Sequence, residues 1–129
     1  MRLGAALLIQ VLLFLATSPL QVLQAGVIDG NELLPRCKGL LRAMDSGDKS
    51  HQAAFDSAYC GQYIAGFLDS HIFEGKARDQ STYCLPERFS IAQIARVIVK
   101  YLEDHPAKLH HDQGALVAES LMQGFPCTK

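Results

Sequence analysis

Four cysteines, a cluster of histidines and two aspartates are the residues whose types and spacing bear on chemistry. Cys37, Cys60, Cys84 and Cys127 contain no C-x-x-C pair, the close spacing that zinc sites usually need. A cysteine nucleophile requires an unpaired thiol beside a histidine, and an even set of four leaves none once all are paired. His105, His110, His111 and Asp112 lie close together, but His110 and His111 are adjacent and would diverge by about 100 degrees on a helix, where a shared metal wants an i, i+4 pair. A solvated surface or a helix cap is the expected role of this cluster. Asp56 and Asp69 are thirteen residues apart on one helical stretch, about 20 Å, too far to act as paired carboxylates. With no glycine-rich phosphate loop either, the chain is expected to bind another macromolecule, with no catalytic residue, metal or cofactor.

The cysteines gain meaning from the start of the chain. Arg2 is the only charge in the first 25 residues, and Leu3 to Ala16 is apolar apart from Gln10. A charged start, a core of about 7 to 15 apolar residues and a small residue at the cut describe a secretory signal, with cleavage expected after Ala25. Gln10, Thr17, Ser18 and Pro19 interrupt the run before it reaches the roughly 20 residues of a membrane span. Residues 26–129 are thus expected to form one domain without stable membrane insertion, small enough to need staples. In an oxidising compartment the four cysteines read as two disulfides.

Without Arg2, 11 Lys and Arg face 13 Asp and Glu, a formal charge of −2 with neutral histidines. That balance, and the scatter of the basic residues, argue against nucleic acid.

The elements that must position these residues are all helical. Glu32 to Met44 predicts a first helix with Leu33, Leu40, Leu41 and Met44 inward and Pro35 tolerated in its first turn. The polar run Asp45 to Ser50 predicts a turn. His51 to Ile72 predicts a second helix, with Phe55, Tyr59, Tyr63 and Phe67 at four-residue steps and a small-residue stripe, Ala54, Ala58, Gly61 and Ala65, that would let a neighbouring helix approach closely. Glu74 to Pro86 breaks the periodicity and predicts an exposed loop. Ser90 to Gln93 has the form of a capping box, opening a helix with Ile91, Ile94, Ala95, Ile98 and Leu102 on one face. A last helix is expected from Pro106 to about Gly124, with Leu109, Leu116, Val117, Leu121 and Phe125 inward. No strand alternation is convincing, so the expected fold is an all-α bundle of four to five helices. Two antiparallel hairpins, turning near Gly47 and near His105, favour Cys37–Cys60 and Cys84–Cys127. The pairings 37–84 with 60–127 and 37–127 with 60–84 remain open.

Three stretches together resemble the Tai/Rap family of type VI secretion amidase immunity proteins. They are Tyr59-Cys60-Gly61-Gln62-Tyr63-Ile64-Ala65-Gly66-Phe67-Leu68-Asp69, then Cys84-Leu85-Pro86, then Tyr101 to His110 continuing to Phe125-Pro126-Cys127. The match covers roughly Leu33 to Cys127. The resemblance implies a periplasmic, disulfide-bonded protein without enzyme activity, often a homodimer, that blocks a peptidoglycan-cleaving amidase effector. It also implies that a protruding loop fills the toxin's cleft, for which Glu74, Lys76, Arg78 and Asp79 in the Glu74 to Tyr83 loop are the candidates, their charges steering encounter. Two other readings fit a small helical domain. An acid-activated periplasmic chaperone would use the swing from −2 to about +3 as five histidines protonate; a saposin-like lipid carrier would usually have six cysteines.

Overall fold

The computed structural model describes residues 28–78 and 82–127, with the backbone alone over 72–78. The signal sequence expected over residues 1–25 lies outside the described residues. Among the described residues four helices follow in order: α1, Gly30–Ser46; α2, His51–Arg78; α3, Ile91–Asp104; and α4, Gln113–Gly124, with a 3-10 turn, Pro106–Lys108, between the last two. No strand is present among the described residues, and the fold is the expected all-α bundle.

Each helix start has a local cause. Asp29 caps α1, its carboxylate accepting from the backbone N–H of Asn31 at 2.9 Å and Glu32 at 3.3 Å. Ser50 accepts from Ala53 N–H at the start of α2, and Ser90 from Gln93 N–H at the start of α3, the serine half of the expected capping box. Gly47 closes α1 in the left-handed conformation, φ 68°, which glycine adopts without a Cβ penalty. Because α1 starts at Gly30, Pro35 is its sixth residue and sits beyond the first turn, where its missing N–H removes one helical hydrogen bond.

The last helix departs from expectation. Pro106 begins only a 3-10 turn, and α4 starts at Gln113 with Asp112 as its cap, accepting from Ala115 N–H at 3.1 Å. The cause is a non-local pairing. Gln113 N–H donates to Ile28 C=O at 3.0 Å, while Gly30 and Asn31 N–H donate to His111 and Leu109 C=O at 3.3 and 3.2 Å. Residues 109–112 form a turn that an isolated bridge between Asp29 and Asp112 ties to the entry of α1, so the N-termini of α1 and α4 lie side by side. Gly30 is required there, since a Cβ would fall 2.6 Å from Leu116 Cδ1 and 3.0 Å from the Leu109 carbonyl oxygen.

The core is formed by Leu33 and Leu40 of α1, Ile64 and Leu68 of α2, Ile94, Ile98 and Leu102 of α3, and Leu116, Val117 and Leu121 of α4. The first disulfide, Cys37–Cys60, is fully buried between α1 and α2. The second, Cys84–Cys127, ties the segment before α3 to the segment after α4. Both are the favoured pairs.

Two expectations of facing are corrected. Met44 is 57% exposed, because α1 outruns the core at its C-terminal end. The small stripe on α2 does not receive a helix: Ala54 and Ala58 are exposed, and a Cβ on Gly61 would meet nothing within 4 Å. Close approach to α2 occurs instead at Gly39 of α1, where a Cβ would lie 2.4 Å from Asp56 Cβ.

Candidate functional site

The segment between α2 and α3 was expected to be a loop from Glu74, but α2 continues to Arg78. Glu74, Lys76 and Arg78 are therefore carried on its last turns, and Asp79 lies outside the described residues. The far end of the connection is firmly anchored. Tyr83 is buried in the core, Cys84 N–H donates to Phe125 C=O at 2.8 Å, and the Cys84–Cys127 bond follows at once. Glu87, Arg88 and Phe89 then run exposed to the Ser90 cap. The charged candidates are thus not gathered into a described constellation: three lie on the last turns of α2, and the described chain resumes at residue 82, just ahead of the Cys84–Cys127 disulfide.

The tightest polar cluster that sequence patterns did not single out centres on Arg36. Its guanidinium donates to Glu32, one turn earlier, at 2.7 Å and to Asp56 of α2 at 3.0 Å. It also lies over the rings of Phe55, at 4.7 Å, and Tyr59, at 5.8 Å. Asp56 is almost fully buried and takes a further hydrogen bond from Gln52 Nε2 at 2.8 Å. The hydrogen bonds to Glu32 and then Asp56 raise the Arg36 pKa, holding the cation in place. Phe55 remains 54% exposed beside it, so an arginine and an aromatic ring present a rigid surface of the kind that anchors protein interfaces. The four-residue aromatic steps continue from there: Tyr63 and Phe67 lie 6.3 Å apart, Phe67 stacks on His71 at 4.2 Å, and His71 meets Tyr83 at 6.0 Å.

A second cluster joins α3, the 3-10 turn and α4. Lys108 Nζ donates to Glu119 at 2.7 Å and to the Tyr101 hydroxyl at 2.9 Å, and that hydroxyl donates in turn to Glu119. The hydrogen bond to Glu119, then that to Tyr101, pushes Lys108 up to about 12, and Lys108 in turn holds Glu119 below the usual carboxylate range. A general acid or base needs a pKa near the working pH. Here both groups are driven away from it, so the trio acts as a clasp. His105 packs flat on Tyr101 at 4.2 Å, with Nδ1 2.8 Å from the Tyr101 carbonyl oxygen, while His110 and His111 meet edge to face and Asp112 is a helix cap. No group of three metal-ligating side chains occurs among the described residues.

These features define a disulfide-stapled, all-α domain whose charged clusters lock helices to one another. A protein-family model described as Rap1a immunity proteins matches residues 29–127, and the chain belongs to that family. No curated protein and no solved structure matches it significantly. No helix among the described residues is long and apolar enough to cross a membrane.

Proposed function

We propose that the chain is a periplasmic immunity protein, exported by residues 1–25, that binds and blocks a peptidoglycan amidase delivered through type VI secretion. It acts as a homodimer and carries out no reaction of its own. The observation that carries this reading is the family match across nearly the whole described domain. Two disulfides suit an oxidising compartment and give a small domain the rigidity that inhibition demands. The toxin-facing element comprises Glu74, Lys76 and Arg78 on the last turns of α2 together with Asp79, ahead of the disulfide at Cys84.

The test is to express the chain in the periplasm, purify it, and measure binding to candidate amidase effectors together with inhibition of muropeptide release. A tight inhibiting complex weakened by Lys76→Glu with Arg78→Glu supports both the activity and the place of the site. Absence of binding to every amidase, with client binding in acid instead, would transfer the function to the chaperone reading.

A further inference from the structure

The outward face of α2 differs from the outer faces of α1 and α3. On α1 the exposed positions include Lys38, Arg42 and Asp45, and on α3 Arg96, Lys100, Glu103 and Asp104, as expected for helices facing water. Between His51 and Asp69, α2 exposes Gln52, Ala54, Phe55, Ala58, Gln62 and Gly66, none of them charged. The one charged residue inside that stretch, Asp56, is turned inward. Depletion of charge with an exposed aromatic is the composition of an interface centre. A Cβ on Gly66 would meet nothing within 4 Å, so packing within one chain gives no reason for a glycine in mid-helix.

The register of this face shows what fits it. Cys60 is fully buried, and Ala58 and Gln62, two residues to either side, straddle the diametrically opposite line of the helix. About that centre the face is self-complementary. In an antiparallel pair of α2 helices related by a two-fold axis passing opposite Cys60, Ala58 meets Gln62 and Ala54 meets Gly66. Phe55, large and exposed, meets Ala65, and His51 meets Asp69. Large side chains fall on small ones, and the anionic Asp69 falls on the helix N-terminus that carries His51, where a carboxylate is favoured. An isologous contact demands this pairing of i with j and j with i.

We infer that this face of α2 is the contact between two copies of the chain, packed antiparallel with Ala58 and Gln62 at the two-fold axis. The inference rests on the proposed homodimer and assigns it a surface and a register. The contact leaves the last turns of α2 and the segment toward Cys84 at opposite ends of the pair, so each copy presents its own toxin-facing segment. One helix pair about 27 Å long makes a small interface, of the weak and concentration-dependent class.

Sedimentation velocity over a concentration series of the chain purified from the periplasm tests this, with circular dichroism to confirm that each variant is folded. The wild type dimerises. Ala58→Glu, and independently Gln62→Lys, abolish the dimer by placing charge at the axis. Asp69→Lys weakens it by roughly threefold to tenfold, as for an exposed ion pair counted twice, and His51→Asp combined with Asp69→Lys restores it. A wild type that stays monomeric at every concentration overturns both the surface and the paired state beneath it. A dimer untouched by folded Ala58→Glu and Gln62→Lys overturns the surface alone. Failure of the double variant to recover overturns the register.

Discussion

Arg36 of α1 and Asp56 of α2 meet at 3.0 Å with the carboxylate almost fully buried and the guanidinium lying over the rings of Phe55 and Tyr59. Removing one partner leaves a buried carboxylate without its cation, a loss that costs far more than the pair itself contributes. Arg36→Met is expected to lower stability by about 2 to 3 kcal/mol, somewhat below the fully buried case because the arginine side retains solvent. Adding Asp56→Leu to Arg36→Met, measured by urea unfolding, is expected to restore part of that loss. If the double variant is as unstable as Arg36→Met, the stranded carboxylate is not the source of the loss.

The same contact explains Gly39. A Cβ there would fall 2.4 Å from Asp56 Cβ, a rigid neighbour one bond from the backbone, so Gly39→Ala is expected to force α1 and α2 apart and cost about 1 to 3 kcal/mol. Gly61→Ala lies in open space and is expected to raise stability by up to about 1 kcal/mol through helix propensity. Thermal unfolding of the two variants side by side checks the contrast; equal effects would sink it.

Much of this architecture is legible from short-range signals. Ser90 with Gln93 three residues on marks a helix start that depends on neighbours alone, and the hairpin turns at Gly47 and near Pro106 favour, without fixing, the two disulfides that the structure holds. What periodicity hides is non-local. Pro106 reads as a helix start, yet residues 109–113 are taken up by the entry of α1, which no local pattern records. The small stripe on α2 reads as a packing face, whereas the close approach comes from a single glycine on α1. Arg36 looks like one basic residue among several until Glu32, Phe55 and Asp56 converge on it from two helices. The candidate toxin-facing residues rest on the resemblance alone, and the loss of periodicity at Glu74 does not mark the end of the helix, because α2 keeps its helical backbone through Gly75 to Arg78.

Stability should fall at both ends of the pH range, through the Lys108–Glu119 clasp at both and through buried Tyr63 at the alkaline end. Glu119 is held below its ordinary value, chiefly by Lys108, so its contribution is complete above the unfolded carboxylate range and is lost as pH falls through the lower folded value. Lys108, raised to about 12, contributes fully below its ordinary 10.5 and loses that contribution as pH climbs through about 12. Tyr63, raised to about 12 by burial, acts with the same sign, its contribution complete below 10 and lost through about 12. Glu119→Gln is expected to flatten the acid limb, and Lys108→Met to remove part of the alkaline loss as well as weakening the junction of α3 and α4. Chemical unfolding midpoints across pH read both limbs; an unchanged acid limb in Glu119→Gln would assign it to other carboxylates.

The two disulfides should separate stability from inhibition. Cys37–Cys60 closes 23 residues and Cys84–Cys127 closes 43, so chain entropy assigns them about 3 and about 4 kcal/mol. Their positions differ more than their magnitudes. The first lies between α1 and α2, and its replacement by Cys37→Ala with Cys60→Ala lowers the unfolding midpoint while leaving the proposed toxin-facing segment anchored. The second begins one residue after the buried Tyr83, and Cys84→Ala with Cys127→Ala releases that anchor. Compared at a temperature where both variants are folded, the second is expected to lose amidase affinity by roughly tenfold or more through added ordering cost, and the first to keep it nearly unchanged. Calorimetric titration against a cognate amidase measures the difference. Equal affinities would mean that the segment before Cys84 does not depend on its anchor, and the contact surface would have to be sought on the Arg36 and Phe55 side of the bundle.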